Sequence, residues 1–198
     1  MIMKFLYKIR KLLYVIGTLV VLAGALGLSY VVYMHYWCNF RTVTPGQFYR
    51  SGQMGHDPLV YYLKEYKIKS IVNLEGANPN DSWYQDEVKV CLQLGVGHYN
   101  FGLSSSDVVS VKETQKIINL LKQIPRPILV HCNGGADRSG FVSAIWEYAV
   151  LGESAEKAIG QLSWRYFHLP YLGNPSIAMN KSFWIFVDFK DKELNSAR

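Results

Sequence analysis

The 198-residue sequence is short of the residues that staple small proteins together or hold metals. It has three cysteines, Cys38, Cys91 and Cys132, with no CxxC pair and no His/Cys ligand spacing. That excludes a disulfide-dense scaffold and a metal-built fold, and no metal or organic cofactor is expected. Internal repeats and low-complexity stretches are also missing, which excludes solenoid and linker-like architectures. The formal charge of +6 and pI near 9.1 hint at a nucleic-acid binder, but the excess sits at one end. Lys4, Lys8, Arg10 and Lys11 have no acid among them, whereas residues 39–198 carry 17 basic and 15 acidic side chains. With no basic stripe interleaved with aromatics, no nucleic-acid partner is expected.

Charge is absent altogether from residues 12–34. About 20 apolar residues suffice to cross a bilayer as a helix. The basic flank before this run and His35, Tyr36 and Trp37 after it fit the two interfaces of a single-pass anchor. The positive-inside rule then places the N-terminus in the cytoplasm and everything after Trp37 across the membrane. A cleaved signal peptide with Ala23-Gly24-Ala25 as its processing site is the rival reading, but the apolar run continues well past that point. Either way the remainder is exported, which for a bacterial protein means the outer face of the inner membrane. The expected organisation is a basic cytoplasmic flank (1–11), a transmembrane anchor (12–34), one folded domain (40–190) and a charged, frayed tail (191–198). In an oxidising compartment Cys38 and Cys91 could pair, leaving Cys132 as the odd reactive thiol.

The most informative stretch is Ile128-Leu129-Val130-His131-Cys132-Asn133-Gly134-Gly135-Ala136-Asp137-Arg138-Ser139-Gly140. An apolar run, a glycine-containing loop and a helix-like segment over 141–151 predict a strand, a tight turn and a helix N-terminus. Such an arrangement aims backbone N–H groups and a positive helix end at one point, an anion site. Cysteine reacts as its thiolate, which a helix N-terminus and a nearby arginine favour. Arg138 adds a planar fork able to hold two phosphate oxygens.

This string resembles the HCxxGxxR[ST]G signature loop of the cysteine-based protein tyrosine phosphatase superfamily, with every fixed position matched. A second string, Pro45-Gly46-Gln47-Phe48-Tyr49-Arg50-Ser51-Gly52-Gln53, resembles the opening of compact dual-specificity phosphatases, and starts the catalytic domain near residue 40. The resemblance implies that Cys132 attacks phosphorus to form a cysteinyl-phosphate. The N–H groups of Asn133, Gly134, Gly135, Ala136, Asp137 and Arg138, with the Arg138 guanidinium, would hold the phosphoryl oxygens. Gly134 and Gly135 would permit the backbone curl. It also implies that Ser139 donates to the thiolate, that His131 orders the loop through hydrogen bonds, and that an Asp on a loop ahead of the nucleophile is the general acid. Asp107, 25 residues ahead and the only carboxylate between Glu87 and Glu113, is that candidate. Asp137 is its competitor, and an N-cap role is the structural alternative for Asp107. Arg50 reads as structural rather than phosphate-facing. Relatives often carry Arg where this chain has Glu75, so that position is given no catalytic role.

Along the chain, Asp57-Pro58 marks a helix start running to about residue 66. A buried strand is expected over 69–74, and a helix over 81–94 with Val88, Cys91, Leu92 and Leu94 inward. A strand over 96–101, helices over 109–123, 141–151 and 155–166, and a last helix from Ser176 to about Phe189 follow. Strands alternating with helices imply an α/β fold, a central mostly parallel sheet flanked by helices, with the site at the carboxyl end of a central strand. The expected partner is a phosphorylated protein or a lipid phosphate monoester. Asp137 and the lack of Lys in the loop argue against highly phosphorylated inositols.

Overall fold

The computed structural model describes residues 2–196; Met1, Ala197 and Arg198 lie outside the described residues, and with them the two ends of the expected flank and tail. The chain divides into two compact units, Met1–Trp37 and Cys38–Arg198. The first holds one helix, α1 (Ile2–Tyr36), in which Leu6–Tyr33, with a mean hydropathy of 2.2, is long and apolar enough to cross a membrane. The expected basic flank is part of that helix, since nothing at 8–12 breaks it. No proline precedes Pro45, and residues 12–34 carry no charge on any face.

The second unit is a five-stranded sheet in the order β1-β2-β5-β3-β4. Its strands are β1 (Arg41–Thr44), β2 (Phe48–Gly52), β3 (Ser70–Asn73), β4 (Gly97–Asn100) and β5 (Ile128–Cys132). Only β1 runs antiparallel, as the first arm of a hairpin turning at Pro45-Gly46. β5 lies between β2 and β3, parallel to both, with Gly52 opposite Cys132 and Asn73 opposite His131. The parallel pairs require crossovers, supplied by α2 (His56–Glu65), α3 (Ser82–Leu94) and α4 (Val111–Gln123). After β5 come α5 (Arg138–Ile145), a π-helical turn over Trp146–Val150, the short α6 (Ala155–Ala158) and α7 (Ile177–Ser196).

Period-two alternation sorts the strands onto two cores. Ile128, Val130 and Cys132 of β5, with Phe48 and Val72, face a cluster that includes Phe141, Trp146 and Phe183 from α5, the π turn and α7. Leu129, Tyr49 and Ile71 face Leu59, Leu63, Val90 and Cys91 of α2 and α3. Burying each large side chain here contributes on the order of 2 kcal/mol. The same alternation sends Cys132 and its neighbour His131 to opposite faces.

Several expectations are corrected. Gly55, not Asp57, is the N-cap of α2, and Asp57 sits in its first turn. On α3 the inward residues are Glu87, Val90 and Cys91, while Leu92 is exposed. Ser110 caps α4 in a reciprocal box with Glu113, so the helix starts at Val111 and Asp107 is not its cap. α5 begins at Arg138, three residues early, because Phe141 N donates to Asp137 O and draws the loop's end into the first turn. The expected 155–166 helix breaks into α6 and two 3-10 turns, Ile159–Gln161 and Trp164–Tyr166. There the Gln161 carbonyl turns to accept from Arg50. α7 continues to Ser196, so the tail is helical as far as it is described. No disulfide joins Cys38, Cys91 or Cys132 among the described residues, so the expected pairing of Cys38 with Cys91 is not made.

Candidate active site

Cys132 ends β5, only 2% exposed, and Arg138 opens α5. Between them the loop's carbonyls are held from outside. Gln53 N donates to Asn133 O at 3.0 Å. Asn39 Nδ2 reaches Gly134 O and Gly135 O at 3.1 and 3.0 Å. Arg50 Nη2 donates to Gly135 O and Ala136 O, both at 2.9 Å. In a planar trans peptide the following N–H points opposite to the carbonyl. Four consecutive carbonyls tied back therefore turn the N–H groups of Gly134, Gly135, Ala136 and Asp137 toward the opposite side, where an anion would sit.

Gly135 alone of the two loop glycines requires its identity. Its φ is +68°, and a Cβ would collide with the Ser51–Gly52 backbone. Gly134 has open space where a Cβ would stand, so the sequence expectation holds for one glycine and not for the other.

Arg50 is fully buried and faces away from the anion site. Its Nη1 donates to Gln161 O at 2.7 Å, and its guanidinium stacks over Tyr166 at 4.5 Å. Burial lowers its pKa to about 10, partly offset by the charge of Cys132, so the side chain stays protonated at neutral pH. It is the structural arginine the sequence indicated, and it also places a permanent positive charge behind the loop. Ser139 Oγ, completely buried, lies 3.5 Å from Cys132 Sγ, within reach of a thiolate.

His131 points to the other face. Its Nε2 meets the buried Glu87 carboxylate on α3 at 3.1 Å, and His98 Nε2 meets the same carboxylate at 2.8 Å. Burial alone would raise the Glu87 pKa; the hydrogen bonds from His131 and His98, with their charges, outweigh it and hold the group at about 2. His131 thus anchors the end of β5 to α3, and its bond does not run into the loop.

Of the two acidic candidates, Asp137 is engaged. Its Oδ1 accepts from Nδ1 of the fully buried His168 at 2.6 Å, and His168 Nε2 lies 2.6 Å from Asn180 Oδ1 on α7. Asp107 is exposed in the β4–α4 loop, and no hydrogen bond or ion pair engages it among the described residues. That loop begins at the site, because Leu103 O accepts from Arg138 Nη1 at 3.3 Å.

Glu75, given no role on sequence grounds, meets Arg138 Nη2 with its Oε1 at 2.6 Å. The Asn73 side chain positions it, accepting from Glu75 N and donating to Gly76 O. The one signal in the sequence was a carboxylate where relatives carry arginine, at the end of the strand beside β5. Among the described residues no group of three or more His, Cys, Asp or Glu is arranged to hold a metal.

Comparison with models of known protein families gives no match, and no curated protein sequence is similar to this one. Solved structures are. The core catalytic domain of the PP-IP phosphatase SIW14 from S. cerevisiae, solved with citrate, aligns at 22% identity over 80% of this chain and 91% of its own, with a TM-score of 0.60. TpbA from P. aeruginosa aligns at 18% identity over 73% and 84%, TM-score 0.56, and has also been solved in complex with pTyr. PTPMT1 aligns at 11% identity over 77% and 99%, TM-score 0.56. The fold is that of the cysteine-based, dual-specificity-type tyrosine phosphatases.

Proposed function

We propose that this chain is a cysteine-dependent phosphomonoester hydrolase of the dual-specificity or tyrosine type. The observation that carries the reading is the loop between Cys132 and Arg138. A nucleophile, a row of inward N–H groups and a guanidinium fork share one anion site, and a second buried arginine stands behind it.

Cys132 Sγ attacks phosphorus, and the phosphorus–oxygen bond to the leaving group breaks. The N–H groups of Asn133, Gly134, Gly135, Ala136, Asp137 and Arg138 hold the three equatorial oxygens together with the Arg138 guanidinium. Asp107 protonates the departing oxygen, and then takes a proton from water as that water attacks the cysteinyl-phosphate. Ser139 donates to the thiolate as it leaves. His131 holds the strand that carries the nucleophile. Asp107 is favoured over Asp137 as the acid because His168 already engages Asp137, whereas among the described residues no hydrogen bond or ion pair engages the Asp107 carboxylate in its loop.

The organisation that fits is an anchor within residues 12–34 and a catalytic domain over 40–190, on the extracytoplasmic side of the inner membrane. The apolar stretch Leu6–Tyr33 and its basic flank support this. The substrate reading is a phosphorylated protein, and TpbA in complex with pTyr supports a pocket of this fold taking that group. A lipid phosphate monoester is the second reading, favoured by the short chain between the apolar helix, which ends at Tyr36, and Asn39 of the domain.

The test is phosphate release by the full chain, thiols kept reduced, from a phosphotyrosine peptide and from a phosphatidylglycerophosphate-type lipid. Turnover abolished by Cys132→Ser is expected, and the faster substrate decides between the two readings. No turnover on either would overturn the enzyme reading in favour of a phosphate-binding module.

A further inference from the structure

The connection between the last 3-10 turn and α7 exposes apolar side chains that the domain's own core does not use. Leu172 stands fully exposed at the tip of this turn with a φ of +54°, and Leu169 and Tyr171 beside it are 46% and 64% exposed. Tyr171 lines a shallow groove of about 740 Å³ with Ile177, Trp184 and Ile185 of α7, and Lys181 and Asp188 add one charge of each sign to its wall. Trp164, on the preceding 3-10 turn, is 61% exposed. A groove that joins Tyr171, Ile177, Trp184 and Ile185, with Leu169, Leu172 and Trp164 exposed nearby in sequence, exceeds the scattered apolar exposure of an ordinary soluble surface. Trp and Tyr are the residues that favour a membrane–water boundary.

Two connections place this patch. The groove residue Asn180 meets His168, and His168 meets Asp137 of the signature loop, so the patch lies one relay of side chains from the anion site. Asn39, at the very start of the domain, donates to Tyr166 O as well as to the loop. The start of the domain is thus bonded to the segment that leads directly into the apolar turn. Two residues, Trp37 and Cys38, separate Tyr36, the last of α1, from Asn39, and the three steps reach no more than about 11 Å in extended chain. If α1 crosses a bilayer, the edge of the domain at Asn39 is held close to the lipid surface whatever path those residues take.

We propose that the face formed by Trp164, the 169–172 turn and the groove side of α7 docks on the lipid bilayer that α1 enters, with its aromatics at the headgroup–acyl boundary and Lys181 toward anionic headgroups. The inference rests on the reading of α1 as an anchor. Its consequence is that the anion site works at the membrane surface, on phosphate groups presented there.

The five tryptophans provide the test. The full chain, labelled with 5-fluorotryptophan and reconstituted in phosphatidylglycerol-containing nanodiscs, would be compared by fluorine NMR with and without nitroxide-labelled lipid. Single Trp→Phe variants would assign the resonances. Trp37, at the end of the helical unit, reports the anchor. Trp83 on α3, the other face of the sheet, and the fully buried Trp146 are internal controls. Loss of the Trp164 and Trp184 signals together with Trp37, while Trp83 and Trp146 persist, is the expected result. Leu172→Asp with Tyr171→Asp should restore Trp164 and Trp184 and leave Trp37 broadened. Loss of Trp37 alone would overturn docking and leave the anchor standing. Persistence of Trp37 would remove the anchor reading and the docking with it. Trp164 and Trp184 signals insensitive to lipid nitroxide but dependent on protein concentration would mean that the face meets a second copy, which also overturns the proposal.

Discussion

Glu75 Oε1 and Arg138 Nη2 lie 2.6 Å apart, both side chains largely buried, so the guanidinium assigned to phosphate already holds a carboxylate. A phosphate dianion must compete with that carboxylate or share the fork with it. Glu75 is therefore a positioning residue that also tempers affinity for anions. In Glu75→Gln, inorganic phosphate should bind about tenfold tighter, about 1.4 kcal/mol, while kcat falls because Arg138 is held less firmly. Competitive inhibition by phosphate and the split between kcat and KM check this; unchanged phosphate inhibition would show that the pair opens at no cost.

Asp107 and Asp137 should separate cleanly. Asp107→Asn removes the proposed proton donor, and a loss in kcat of about 10²–10⁴ is expected, least for substrates with good leaving groups. Asp137→Asn removes the carboxylate charge that the buried His168 meets and leaves only a neutral acceptor, so its effect should appear in stability and phosphate affinity, equally for good and poor leaving groups. A leaving-group series measured on both variants decides the assignment.

The carbonyl-holding pair, Asn39 and Arg50, sets the loop's polarity. Asn39→Ala leaves the carbonyls of Gly134 and Tyr166 without this donor, with an expected cost of about 2–4 kcal/mol in unfolding free energy. Arg50→Lys keeps the charge but loses the fork to Gly135 O and Ala136 O, and phosphate affinity should fall about tenfold or more. Urea denaturation and phosphate titration measure the two effects. Wild-type phosphate affinity in Arg50→Lys would mean that the loop keeps its shape without the fork.

The Glu87 carboxylate predicts an acid-side stability profile. Its folded pKa of about 2 is below the unfolded value near 4.3, so its contribution is fully present above that value and is lost as pH falls toward 2. The contribution at neutral pH is on the order of 3 kcal/mol. Glu87→Gln should lose about that much at pH 7, and the difference from wild type should shrink as the pH is lowered toward 3. Parallel curves across that range would rule the contribution out. Because His131 is freed at the same time, kcat should also drop.

The local features could be read from the chain. β5, the tight turn and α5 follow from an apolar run, Gly135 and helix-forming residues adjacent in sequence, and period-two alternation alone puts Cys132 and His131 on opposite faces. The bounds of the later helices could not be read in the same way, because their ends depend on distant partners: Gln161 leaves its helix for Arg50, from a different strand. Glu75 was set aside for the same reason. Its value comes from β3 lying beside β5, a register that no neighbouring residue encodes.

By itself the sequence determined the positions of Cys132 and Arg138, the glycine turn between them and the apolar N-terminal run, all properties of contiguous residues whose spacing sets their geometry. Only the tertiary structure decided which groups hold that loop and which compete with substrate for it. The Asn39, Arg50, Glu75 and His168 side chains reach the site from four separate segments, and Glu87 meets His131 on the other face from a fifth. Their hydrogen bonds exist only once the parallel sheet has set its order and buried them, because a polar group taken from water needs a partner and the fold decides which one is near.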